Sequence, residues 1–321
     1  MKRIFVTGAS GCIGHYIAEA LIQETEHELF LLVRNPDKLQ FDYQARSGVN
    51  ILQGNLQQIE EFSELLHQEI DVAILAATAW GGTEEAYEIN IVKTLTLLKL
   101  LDPQICEQVI YFSTASILDR HNQLLPEAGQ LGTDYIRTKY QCFSQLSQLP
   151  IADRITALFP TLVFGGDKNK PLSHLSSGWS EVVKWIDLIR WLKADGSFHF
   201  IHARDIAQVV RYLVENPPNL SVDWGQEKLV RKIVLGNAPV TANQAIEEIC
   251  NYLNKKIYLR IPLSIELINL LIKIFRIQMD SWSRFALDYR HFVHQNPVNP
   301  ASFGLDNYCS TVTDIMQTTG L

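Results

Sequence analysis

The chain alternates between short unbroken apolar runs and longer stretches whose apolar residues recur three and four apart. The runs lie in Ile4–Val6, Glu28–Val33, Asn50–Gln53, Asp71–Ala77, Val109–Phe112, Ile155–Phe159 and Lys232–Asn237. They are rich in β-branched and aromatic residues and end at glycine, proline or small polar residues, which predicts buried strands. Between them fall Ile13, Ile17, Ala20 and Leu21, then Ile59, Phe62, Leu65 and Leu66, then Leu95, Leu98 and Leu101. Those spacings predict helices with one apolar face. Strand alternating with helix predicts an α/β fold, a Rossmann-type doubly wound parallel sheet covered on both faces.

Past Phe159 the pattern loosens. Trp179, Trp185 and Trp191 stand six apart, so they form no single helical stripe. A short strand is expected over Phe198–His202, then a helix with Asp205 as its N-cap, and a further helix over Thr241–Leu253. The segments 1–166 and about 197–238 are expected to build the sheet domain. Those from about 167 to 196 and from 239 to 321 are expected to build a smaller C-terminal lobe that lines a substrate pocket.

Composition narrows the class. With 321 residues and 47% apolar content the chain can bury a large core with an added lobe. A net charge of −7 argues against a general nucleic-acid binder, which would carry a basic face. The five cysteines, Cys12, Cys106, Cys142, Cys250 and Cys309, show no metal-ligand spacing and are odd in number. They suit buried thiols in a reducing cytoplasm. The N-terminus enters a strand at once, with no apolar leader. The most apolar stretch, Ile261–Ile277, is broken by Glu266, Lys273 and Arg276. It is expected to be an amphipathic helix without stable membrane insertion, loose association with a membrane surface being the alternative.

The first candidate chemistry is the glycine turn after the first strand, with Gly8, Gly11 and Gly14 leading into a helix. Ser10, Cys12 and Ile13 lie between and beside these glycines. Backbone N–H groups at such a helix start can approach a pyrophosphate with no Cβ in the way. A plain strand-to-helix turn is the competing reading of the glycines alone. At the end of the second strand stands Arg34, with Lys38 near. An acid there would accept hydrogen bonds from the ribose of NAD, whereas an arginine suits the 2′-phosphate of NADP. The expected cofactor is therefore NADP, with NAD as the alternative. A solvated surface arginine is the other reading of Arg34.

The second candidate is Tyr135 with Lys139, four apart on one helix face. A phenol of pKa about 10 is a poor base at neutral pH. A neighbouring ammonium lowers that value, and the phenol can then exchange a proton with an alcohol or carbonyl as hydride moves. Thr114, at the carboxyl end of a strand, can hold the same substrate oxygen.

Several segments together resemble the extended short-chain dehydrogenase/reductases, the NAD-dependent epimerase/dehydratase-like group. They are TGASGCIG at 7–14, GNL at 54–56, LAA at 75–77, NIVKT at 90–94, FSTASI at 112–117, YIRTK at 135–139, FPTLVFGG at 159–166 and FIHARDIA at 200–207. The resemblance implies that Gly8, Gly11 and Gly14 line the pyrophosphate. Asn55 and Leu56 would lie by the adenine, Ala76 and Ala77 along the cofactor, and Pro160 by the carboxamide. Lys139 would bond the nicotinamide ribose and assist Tyr135. The catalytic hydroxyl maps to Thr114, with Ser113 in reserve. A homodimer through two helices of the sheet domain is also implied.

Three departures stand out. Lys93 replaces a glycine of the family pattern, and Leu118-Asp119 replaces a Tyr-Gly pair. Leu162 stands where many nucleotide-sugar enzymes carry asparagine. Leu162 cannot hydrogen-bond a diphosphate, and FPTLVFGG looks closer to the NADPH-dependent carbonyl reductases of the family. His199 and His202 offer two imidazoles of the kind that bind metals, but no third ligand is evident. The leading expectation is an NADP(H)-dependent oxidoreductase interconverting a carbonyl and an alcohol on a small molecule. The alternatives are a nucleotide-sugar epimerase or dehydratase holding NAD tightly, and a non-catalytic NADP-binding regulatory or assembly protein.

Overall fold

The computed structural model describes residues 1–217, 230–275 and 278–319. Its main sheet comprises β1 (Arg3–Thr7), β2 (Glu28–Val33), β3 (Val49–Gln53), β4 (Val72–Leu75), β5 (Gln108–Phe112), β6 (Ile155–Pro160) and β7 (Arg231–Leu235). All are parallel, in the order β7-β6-β5-β4-β1-β2-β3. The side-chain period of two sorts β1 onto both faces. Ile4 and Val6 join Ile17, Leu21, Ile206 and Val210 on one side, while Phe5 joins Leu66, Tyr111 and Phe159 on the other. Helix Cys12–Glu24 packs against helix Ala203–Glu215 on the first face. The order of strands reverses between β1 and β4, and such switch points open a crevice at the carboxyl ends.

A third cluster unites Phe164, Phe200, Ile246, Ile249, Ile315 and Met316. It joins the strand pair Leu162–Phe164 and Phe200–His202 to helices Ala242–Tyr252 and Val312–Thr319. The segment Ile261–Pro262 pairs with Leu192–Lys193, and a helix then runs Ile265–Phe275. Residues 276 and 277, the end of the apolar stretch, lie outside the described residues. No helix among the described residues is long and apolar enough to cross a membrane.

Four local expectations are corrected. The segment after β3 begins as a 3-10 helix, Leu56–Phe62, kinked at Gln58, before the α-helix Ser63–Gln68. The helix expected through Leu95, Leu98 and Leu101 runs over Thr94–Leu100, and Asn90 before it sits in a π-helical turn, Glu88–Lys93, that follows the helix Thr83–Tyr87. The strand expected over Phe198–His202 breaks at His199. Ser197–Phe198 pairs with Val240–Thr241 and His291–Phe292, while Phe200–His202 pairs with Leu162–Phe164.

The helix Ala203–Glu215 is capped by His202, whose Nδ1 accepts from the N–H of Arg204 at 3.1 Å, and not by Asp205. Asp205 is drawn away because its carboxylate accepts from the N–H groups of Tyr308 (2.6 Å) and Cys309 (3.1 Å). Burial pushes its pKa up to about 6.

Candidate active site

The glycine turn follows from what a side chain there would strike. Gly8 has φ +79°, and a Cβ on it would lie 2.6 Å from the N of Ala77. A Cβ on Gly14 would lie 2.1 Å from the carbonyl oxygen of Gly8. Both positions therefore exclude any larger residue. Gly11 differs, since its nearest neighbour would be at 3.4 Å, an ordinary contact. Gly11 is the N-cap of helix Cys12–Glu24 and supplies no side-chain cap. The first N–H groups of that helix stay open toward a cleft of about 950 Å³.

The cleft runs along the carboxyl ends of the sheet and gathers the residues expected to hold the cofactor and to exchange the proton. Gly8, Ser10, Gly11, Cys12, Ile13, Gly14, Arg34, Asn55, Leu56, Ala76, Ala77 and Pro160 line it. So do Ser113, Thr114, Tyr135, Lys139 and the aliphatic Leu162. Arg34 and Lys38 are exposed and bound the far side at the end of β2. Lys93 does not line the cleft; its ammonium pairs with Glu60 at 2.8 Å. His199 is occupied on both nitrogens, with Nδ1 bonding the carbonyl of Asn237 at 2.7 Å and Nε2 accepting from the N–H of His294 at 3.0 Å. Those bonds fix the point where the chain passes from one small sheet to the next.

Tyr135 and Lys139 lie on helix Asp134–Leu146, which Thr133 caps. Lys139 is 3% exposed, and its Nζ donates to the carbonyl of Phe112 at 2.8 Å. Burial pushes its pKa down to about 8. Burial pushes the Tyr135 phenol up to about 12, and a hydrogen bond with the Thr114 side chain acts in the opposite direction. Thr114 Oγ1 also caps the short turn Ala115–Ile117. Beside it, Ser113 is 3% exposed, and its Oγ has no hydrogen-bond partner among the described residues. A buried hydroxyl left unpaired in a cleft wall is suited to a ligand.

Two residues without a role assigned from the sequence, Asn90 of the NIVKT segment and Trp80, brace the site. Asn90 is wholly buried. Its side chain accepts from the N–H of Ala79 at 2.9 Å, donates to the carbonyl of Ala79 at 2.8 Å and reaches Thr138 Oγ1 at 3.0 Å. It thereby ties the loop after β4 to the Tyr135 helix. Trp80, next in that loop, stacks on Tyr135 with ring centroids 4.1 Å apart and planes 21° apart.

The sheet order, the switch-point cleft and the open glycine turn define a Rossmann-type dinucleotide-binding fold. The sequence model of the NAD dependent epimerase/dehydratase family matches residues 4–223, and the chain belongs to that family. No curated protein sequence matches it. The fold is similar to that of gox2253, at 16% identity and TM-score 0.69, covering 99% of this chain and 97% of that one. It is similar also to dTDP-glucose 4,6-dehydratase from Bacillus anthracis in complex with NAD, at 13% identity and TM-score 0.63, over 99% and 96% of the two chains. A UDP-glucuronic acid 4-epimerase from Bacillus cereus, in complex with a fluorinated UDP sugar and NAD, matches at 15% and 0.63 over 98% and 96%.

Proposed function

We propose that the cleft transfers hydride between a nicotinamide dinucleotide and a carbon–oxygen centre of a small molecule. The observation that carries this reading is the meeting of Tyr135, Lys139 and Thr114 in the same cleft as the open glycine turn. The turn and the first N–H groups of its helix suit a pyrophosphate, and the unpaired Ser113 hydroxyl suits a ligand beside the sheet. When bound, the nicotinamide supplies or accepts the hydride. Tyr135, with its proton held well above neutral pH, donates to a carbonyl oxygen in one direction. Thr114 orients that oxygen, and Lys139 places positive charge beneath it below about pH 8.

Two versions share this step. A nucleotide-sugar epimerase or dehydratase uses hydride transiently and keeps its cofactor; the family and the solved structures that hold NAD support it better than they support a net reductase. Net interconversion of a carbonyl and an alcohol with NADP is the version that the cleft's own side chains favour. Leu162 is 41% exposed into it, and among the described lining residues the lysines and arginines are Arg34, Lys38 and Lys139. Arg34 and Lys38 sit at the end of β2 and Lys139 on the Tyr135 helix, so among the described lining residues a sugar diphosphate would meet no lysine or arginine beside Leu162.

The deciding measurement is the nucleotide released on denaturing the purified protein, followed by titration of empty protein with NADPH and NADH. About one NAD per chain supports the first version and removes the case for Arg34 as a phosphate ligand. Empty protein that prefers NADPH supports the second. In either version Tyr135→Phe abolishes turnover and spares dinucleotide binding; retained turnover sinks the mechanism.

A further inference from the structure

We propose that Trp80, backed by His174, selects a planar uncharged group of the substrate, an aryl or conjugated carbonyl, beside Tyr135. The proposal rests on the hydride-transfer reading and deepens it. Trp80 is 57% exposed, yet its indole is not loose on the surface. One contact is the Tyr135 phenol, stacked at 4.1 Å, and another is the His174 imidazole, stacked at 5.4 Å and 16°. Three near-parallel rings thus run from the Tyr135 helix through the loop after β4 to the start of helix His174–Lys184.

The mount of the indole is rigid on one side and free on the other. Asn90 clamps the residue before it by both backbone groups and reaches the Tyr135 helix through Thr138. After it come Gly81 and Gly82; Gly82 has φ +81°, and a Cβ on Gly81 would meet nothing within 4 Å. Neither glycine adds a side chain beside the ring, so that side stays open to a guest. The walls nearby are apolar as well, with Leu172 53% and Leu162 41% exposed into the cleft. Exposed apolar and aromatic surface in a concave site is where an apolar ligand gains most from leaving water. A flat π-system gains in addition from stacking on indole.

Benzaldehyde and cyclohexanecarbaldehyde serve as probes, since they match in size and differ in planarity. Turnover is measured with NADPH and with NADH. Binding is measured separately by calorimetry on protein loaded with the oxidised dinucleotide, which has no hydride to give. The expectation is that wild type favours benzaldehyde. Trp80→Ala should lower the preference for benzaldehyde over cyclohexanecarbaldehyde about fivefold to tenfold, in both kcat/KM and affinity (1/Kd), the worth of one aromatic stack. Trp80→Phe should keep most of that preference, and His174→Ala should lower it less.

If Trp80→Ala depresses both aldehydes together and leaves the ratio unchanged, Trp80 merely positions Tyr135 and the proposal is overturned. If neither aldehyde binds, it is overturned too, while released nucleotide and Tyr135→Phe still decide the hydride reading. If binding depends on Trp80 but neither aldehyde turns over with either reduced dinucleotide, the stacking proposal stands and the net-reductase version falls.

Discussion

Lys139 is held between two demands. The proposed step needs its charge near the substrate oxygen, but burial brings its pKa down to about 8, so it is charged at neutral pH and loses its proton just above. Tyr135 stays protonated throughout that range. The kcat/KM for carbonyl reduction should therefore fall as pH rises through about 8, with Lys139 and not Tyr135 as the titrating group. Lys139→Arg keeps its charge and should move that limb to higher pH, at a lower absolute rate because the guanidinium is larger. A pH–rate profile of the two proteins checks this; an unmoved limb assigns it elsewhere. Arg34 can be tested at the same scale, since Arg34→Ala should reduce the NADPH to NADH affinity ratio at least tenfold, the worth of a charge-assisted bond to phosphate. That Tyr135, Lys139 and Thr114 meet in one cleft was legible because the pattern depends on residue type and spacing. Trp80 was not, because a lone aromatic between Ala77 and Gly81 belongs to no periodic pattern and acquires meaning only when the loop lays it on Tyr135.

At the scale of elements, the glycine turn separates folding from binding. Gly14→Ala places a Cβ 2.1 Å from the Gly8 carbonyl oxygen, and should cost about 3 kcal/mol or more of stability. Gly11→Ala meets nothing closer than 3.4 Å, so the fold should lose under about 1 kcal/mol. Dinucleotide affinity should nevertheless drop markedly in Gly11→Ala, because the added methyl faces the cleft. Urea unfolding and dinucleotide titration of the same variant distinguish the two effects; unchanged affinity would mean that the pyrophosphate does not lie on this turn. Asn90 plays a different part. Asn90→Leu would strand the N–H and C=O of Ala79, and should cost about 2–4 kcal/mol while loosening Trp80.

The strands were readable because an apolar run with a glycine or proline boundary has few other uses. The breaks within elements were not. Nothing in the sequence of Phe198–His202 signals that His199 is seized by Asn237 and His294, partners 38 and 95 residues away, and that the strand divides there.

At the scale of the whole molecule, the question is how the third hydrophobic cluster is held against the sheet that carries the cleft. Asp205 is one of the fastenings. It stands on helix Ala203–Glu215, whose other face packs on the glycine-turn helix, and its carboxylate receives two backbone N–H groups of the C-terminal segment, 103 and 104 residues on. The sequence alone predicts a local cap, because Asp at a helix start is read from its neighbours, whereas its real partners are distant. Asp205→Ala leaves both N–H groups without their acceptor and should cost about 2–4 kcal/mol. Asp205 does not line the cleft, so the loss should fall first on the C-terminal segment. Limited proteolysis should then cut around Tyr308 and Cys309 sooner than in the wild type, while dinucleotide affinity stays near its original value. If affinity falls in step with stability, the sheet and the third cluster unfold as one cooperative unit, and the lobe built on that cluster cannot loosen without releasing a bound dinucleotide. If affinity holds, the lobe can loosen over a sheet that keeps its nucleotide.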